Sequence, residues 1–89
     1  MTKENKHYVV MCDWSATIDG MINGNVDIAG IAHSLEEAKE ILAKVSIDEK
    51  QYAQENQWIV YEDSDVEFDA GEIDYYAAEH VHFYIQEVE

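Results

Sequence analysis

Between residues 61 and 76 the chain carries Glu62, Asp63, Asp65, Glu67, Asp69, Glu72 and Asp74, with no basic residue among them. Tyr61, Val66, Phe68, Ile73, Tyr75 and Tyr76 are interleaved with these carboxylates. The stretch therefore has apolar surface to bury and does not read as a disordered acidic tail. Asp63, Asp65, Glu67 and Asp69 fall at every second position, with Ser64, Val66, Phe68 and Ala70 between them. A period of two is that of a strand, and it predicts an apolar inner face behind a solvent-facing row of carboxylates. An ordered acidic row attracts cations or a basic protein surface. Glu62, Asp63, Asp65, Glu67, Asp69, Glu72, Asp74, Tyr75 and Tyr76 are accordingly the candidate partner-binding residues, the tyrosines because aromatic side chains are favoured at interfaces.

Other residues can do chemistry, and each has a plainer role beside it. Asp63, Asp65 and Glu67 have the spacing that opens a calcium loop. The sixth position, which should be glycine, is Phe68, and the twelfth, which should be glutamate, is Asp74. His80 and His82 are two apart on a strand, so both rings share a face. With Glu79 they are a candidate pair for zinc or nickel, and otherwise a solvent-facing or interface pair. No metal and no cofactor is expected. Cys12, between Met11 and Asp13 on an apolar strand, reads as an inert core thiol rather than a nucleophile. Eighty-nine residues leave little wall for a catalytic pocket, and the expectation is a protein that is not an enzyme.

The balance of charge sets the class of partner. There are 20 acidic residues against 5 lysines and no arginine, for a net charge of −15. The imbalance lies in the second half: residues 1–44 carry net −3 and residues 45–89 net −12. Nucleic acid and anionic membranes both need lysine and arginine, so neither is expected as a direct partner. A basic protein is. Acidity also keeps small proteins soluble, which is the plain alternative, although −15 on this length opposes compaction by self-repulsion. With one cysteine no internal disulfide can form. Nothing at the N-terminus reads as a signal peptide, and no apolar run approaches a membrane span, so the chain reads as cytoplasmic.

The elements that must position these residues follow from periodicity. The whole of residues 1–89 reads as one domain, with residues 1–6 flexible. Residues 7–14 alternate Tyr8, Val10, Cys12 and Trp14 against Val9 and Met11. Both faces are apolar, which predicts a central strand or one covered on its second face by a partner chain. Asn23-Gly24 predicts a hairpin turn before a second strand over residues 26–33, in which Gly30 marks a bulge or a close backbone approach. Ser34, Leu35, Glu36 and Glu37 form a capping box. Leu35, Ala38, Ile41, Leu42 and Val45 then repeat at helical spacing. Helix lasts to about residue 56, either continuous or restarted at Ser46. Strands are predicted over residues 57–62, 66–70 and 79–88. The expected fold is α+β: an antiparallel sheet of four to five strands, in the order β-β-α-β-(β)-β, with one main helix packed on one face. The other face is open to a second copy, as a homodimer.

Small, arginine-free, strongly acidic α+β chains with aromatics among the carboxylates resemble phage-encoded anti-CRISPR and anti-restriction proteins, several of which mimic DNA. The likeness is of character over residues 45–89. A second resemblance covers residues 8–42, where Tyr8-Val9-Val10, a strand reaching Gly30 and Ser34-Leu35-Glu36-Glu37-Ala38 look like the β-β-α start of HicB-type antitoxins. The first implies an inhibitor that occupies the nucleic-acid-binding surface of a basic partner protein. The alternatives are a cytosolic, homodimeric structural or regulatory module that is acidic for solubility only, and, more distantly, a small metal-dependent enzyme.

Overall fold

Alternating apolar residues commit the first third of the chain to a long hairpin. In the computed structural model, which describes residues 7–18, 21–72 and 77–88, β1 spans His7–Ile18 and β2 spans Met21–Ala32. They pair antiparallel from Tyr8↔Ala32 to Ile18↔Met21. The predicted turn is displaced. Asn23 and Gly24 lie inside the ladder opposite Ala16 and Ser15, and the chain reverses after Ile18. The residues in between are Asp19-Gly20, a dipeptide of the same hairpin-forming class, and they lie outside the described residues.

The helical stripe forms as expected. Helix α1 runs over Leu35–Val45; Ser34 Oγ accepts the Glu37 amide, and Glu37 Oε1 accepts the His33 amide. Ser46 breaks the helix. It is fully buried, and its Oγ donates to the Leu42 carbonyl at 2.6 Å instead of capping the next helix. That helix, α2, spans Ile47–Glu55 and ends in a Schellman arrangement: the Trp58 amide donates to the Ala53 carbonyl and the Gln57 amide to that of Gln54. Gln57 takes the left-handed conformation, with φ of 58°, that glycine usually supplies there.

Three further strands complete one antiparallel sheet: β3 (Ile59–Asp63), β4 (Glu67–Gly71) and β5 (Ala77–Val88), in the order β2-β1-β5-β4-β3. Among the described residues the fold is α+β, with five strands, two helices and α1 packed on one face. Val10, Phe68, Ala70, Val81 and Phe83 point to the helices and meet Ala38, Leu42, Ala53 and Trp58. Among the described residues five of the eleven buried apolar side chains are alanines, so the helices lie close to the sheet. Leu35, expected in this core, is 39% exposed at its rim, beside Tyr8, Val66 and Ile85.

Gly30 is where the approach is closest. The register slips between Val10 and Met11, leaving Ala29 as the extra residue of a bulge. A Cβ on Gly30 would stand 2.6 Å from Ile41 Cγ2. Gly30→Ala gains about 0.4–1 kcal/mol by restricting the unfolded chain. Overpacking against a stiff branched side chain costs about 1–3 kcal/mol and outweighs that gain. The expected result is a net loss, measured by urea denaturation. Ile41→Ala is destabilising alone, yet added to Gly30→Ala it should restore part of that loss, because it removes the clashing methyl. Strict additivity of the two would show that α1 does not rest on this glycine.

Candidate functional site

The acidic stretch is not one strand. Residues 64–66 turn it back on itself, with the Ser64 amide donating to the Glu67 carbonyl at 2.9 Å and Asp63 lying opposite Phe68. The expected continuous row of Asp63, Asp65, Glu67 and Asp69 is therefore divided. Phe68 is buried as expected, but Val66 sits in the turn and is 39% exposed. Glu62 is exposed on β3, and Asp63 and Asp65 project around the turn. Glu67 and Asp69 are half-buried on the sheet face away from the helices. Glu72 closes the end of β4: its amide donates to the Glu79 carbonyl, and its Oε1 accepts the Glu79 amide, both at 2.9 Å. Asp74, Tyr75 and Tyr76 lie outside the described residues.

The turn carboxylates reach lysines on the helices. Lys39 Nζ lies 3.3 Å from Asp65 and 3.6 Å from Glu36, and Lys50 Nζ lies 3.2 Å from Asp63. The hydrogen bond that Lys39 donates to Asp65 raises its ammonium above the ordinary range, with Glu36 adding to the effect. Exposed pairs of this kind add little to stability, since water and salt screen them. Their structural effect is larger than their energy, since they bring α1, α2 and the β3–β4 turn onto one surface. Lys50 also lies 5.5 Å from the centre of the Phe68 ring, over a recess of about 390 Å³ lined by Ala53, Trp58, Val60 and Asp63.

On the open face the remaining carboxylates meet the histidines. His82 Nε2 is 2.5 Å from Glu67 Oε2; His80 Nε2 contacts Asp69 Oδ1 as a close ion-pair partner, but that oxygen, sealed from solvent, accepts no well-oriented hydrogen bond. Gly71 makes the second contact possible. It is the direct neighbour of His80, and a Cβ there would fall 2.9 Å from the imidazole. Without a side chain at that position the ring lies across β4 toward Asp69. Tyr61 approaches the same ring edge-on, and Tyr84 lies against His82. Sequence reasoning treats the histidines as a metal or interface pair and misses these partners. The available signal is two matched alternations, Glu67/Asp69 and His80/His82, which antiparallel pairing places side by side.

Each of these histidines meets a carboxylate across the β4–β5 pair. Among the described residues no cluster of three or more His, Cys, Asp or Glu is disposed to hold a metal ion. Ser15 is the register partner of His80 on β1, so serine, histidine and aspartate do occur together. However, Asp69 occupies Nε2, the nitrogen that a serine relay keeps for the hydroxyl. Cys12 faces the helices, half-buried, where burial pushes its thiol up and Glu49, Asp27 and Asp13 push it further. It therefore stays a protonated thiol at neutral pH. No family model, curated protein or solved structure matches the chain.

One contact works against the fold. Glu62 and Asp69 are direct cross-strand neighbours, and like charges so placed are destabilising. Glu62→Lys replaces that repulsion with attraction and should raise stability by about 0.2–1 kcal/mol, seen as a higher melting temperature. A lower one would mean that Glu62 does not face Asp69.

Proposed function

We propose that this chain is a non-enzymatic acidic binding protein that occupies the basic, nucleic-acid-binding surface of a partner protein. The observation that supports it is the joining of Glu36 on α1 to Asp65 in the β3–β4 turn through Lys39, so that carboxylates distant in sequence share one exposed surface. Residues 36–69 carry eleven acids and three lysines, and two of those lysines, Lys39 and Lys50, are already engaged by carboxylates. The surface offered to a partner therefore remains acidic.

Spacing bears on imitation of DNA. Carboxylates at alternate positions of one strand stand ~6.6 Å apart, whereas duplex DNA presents a charge every ~1.7 Å of axis. One row is about four times too sparse. The hairpin places a second row one strand spacing away on the open face, where Glu62 neighbours Asp69, while Glu36 of α1 extends the acidic surface on the helix side of the turn. The plain alternative is a homodimeric module acidic for solubility alone; the exposed Ile22, Val26, Ile28 and Ile31 of β2 favour it.

The two readings separate by competition. A tagged form of the protein is used to capture partners from a bacterial lysate, and the complex is challenged with salt and with excess duplex DNA. The expected complex weakens steeply with salt, is displaced by DNA, and loses at least tenfold in affinity in the variant Glu36→Gln, Glu62→Gln, Asp63→Asn, Asp65→Asn. A complex untouched by DNA, or bound equally well by that variant, leaves only the solubility reading.

A further inference from the structure

The helices cover one face of the sheet, and the other face is divided in character. On its β4–β5 side stand the histidines and carboxylates. On its β1–β2 side the register places Ile22, Val26, Ile28 and Ile31 beside Thr17, Asp13, Met11 and Val9. The four β2 side chains are 77%, 54%, 60% and 62% exposed. None of the described β2 residues on this face is charged, and Asp13 is the one acid on this face of β1, between Val26 and His82. The stripe runs along a twelve-residue edge strand that carries neither lysine nor proline, the residues that commonly protect such edges.

We infer that this stripe is the contact surface for a second copy of the chain, the two copies packing stripe to stripe about a twofold axis parallel to the strands. Charge argues for a second copy in this arrangement. Two chains of −15 can approach only where their acids are few, and residues 7–33 hold three acids out of twenty. With β2 of one copy over β1 of the other, the two β4 strands fall on opposite sides, about five strand spacings or ~24 Å apart. That is about three Debye lengths at physiological salt, so the acidic ends barely sense each other. Sheets pack face to face through side chains that interdigitate, and branched residues at alternate positions suit that geometry.

Exposure argues the same way, since four branched side chains, each more than half exposed, form one apolar strip along β2. The same contact accounts for β1 being apolar on both faces: Val10 and Cys12 serve the helix side, and Val9 and Met11 the stripe.

The test is sedimentation equilibrium on the full chain at tens of micromolar, with Val26→Lys and Ile28→Lys, singly and together. Both positions are exposed in the single chain, so circular dichroism should show each variant folded. Wild type is expected at the mass of two chains and the double variant at one. Lysine lowers the net negative charge, so dissociation would not come from added repulsion. As a second readout, the variant Asp63→Asn, Asp65→Asn, distant from the stripe, should remain dimeric. A wild-type mass of one chain overturns the proposal, whether the stripe then stays bare or takes another partner. A folded double variant that remains dimeric overturns it as well.

Discussion

The structure depends on how closely α1 lies against the sheet. Gly30, Ala32 and Ala38 supply almost no side chain where helix and strand meet, so Ile41 descends onto the β2 backbone at Gly30 and Leu42 is buried in the core. This contact fixes which face of the sheet is inside. Val10, Phe68, Val81 and Phe83 then have a common core to enter, and every alternate residue must face away from the helices. The core is small for the charge it holds together. Hydrophobic burial therefore has to outweigh the mutual repulsion of carboxylates that few lysines offset.

One-sided burial leaves the second face to specialise. Near β4 and β5 its polar residues pair across strands, each histidine with a carboxylate. Near β2 its residues are branched and apolar with nothing in the chain over them among the described residues. Around the β3–β4 turn the acids are exposed and reach toward the helices. These three regions have different chemistry because they lie on different strands of one sheet. A charged partner and a second copy could be accommodated at once, since the turn and the β2 stripe are at opposite ends of the strand order.

Much of this is legible in the sequence, for local reasons. The capping box and its helix, the antiparallel class, and the bulge beside Gly30 each rest on chemistry within a few residues. The first turn is misplaced because Asn23-Gly24 and Asp19-Gly20 are both hairpin dipeptides, and only pairing in the sheet selects between them. The two strands of the acidic stretch are legible at residues 57–62 and 66–70, but its carboxylates read as one row because their period of two continues through the turn at residues 64–66. The reversal contains neither glycine nor proline, and its signal is the weaker one of Asp63-Ser64-Asp65, in which Ser64 Oγ accepts the Val66 amide. The end of α2 is similarly disguised, with Gln57 in the position where glycine would have announced it. The ion pairs of Lys39 and Lys50, and the approach of His80 across Gly71, join distant segments and emerge only from the assembled fold.

The central claim is that the fold carries an excess of exposed carboxylates which its own cations do not neutralise. It is tested most directly by the salt dependence of stability, measured as the urea midpoint in sodium chloride at neutral pH and one protein concentration. Between about 10 mM and 1 M salt the Debye length falls from about 30 Å to about 3 Å, which screens repulsion across the surface. The same salt weakens the exposed pairs Lys39–Asp65 and Lys50–Asp63. If repulsion dominates, the midpoint rises with salt. A midpoint that stays flat or falls would show that the pairs balance or outweigh the repulsion, and would contradict the account of an acidic surface held in reserve for a basic partner.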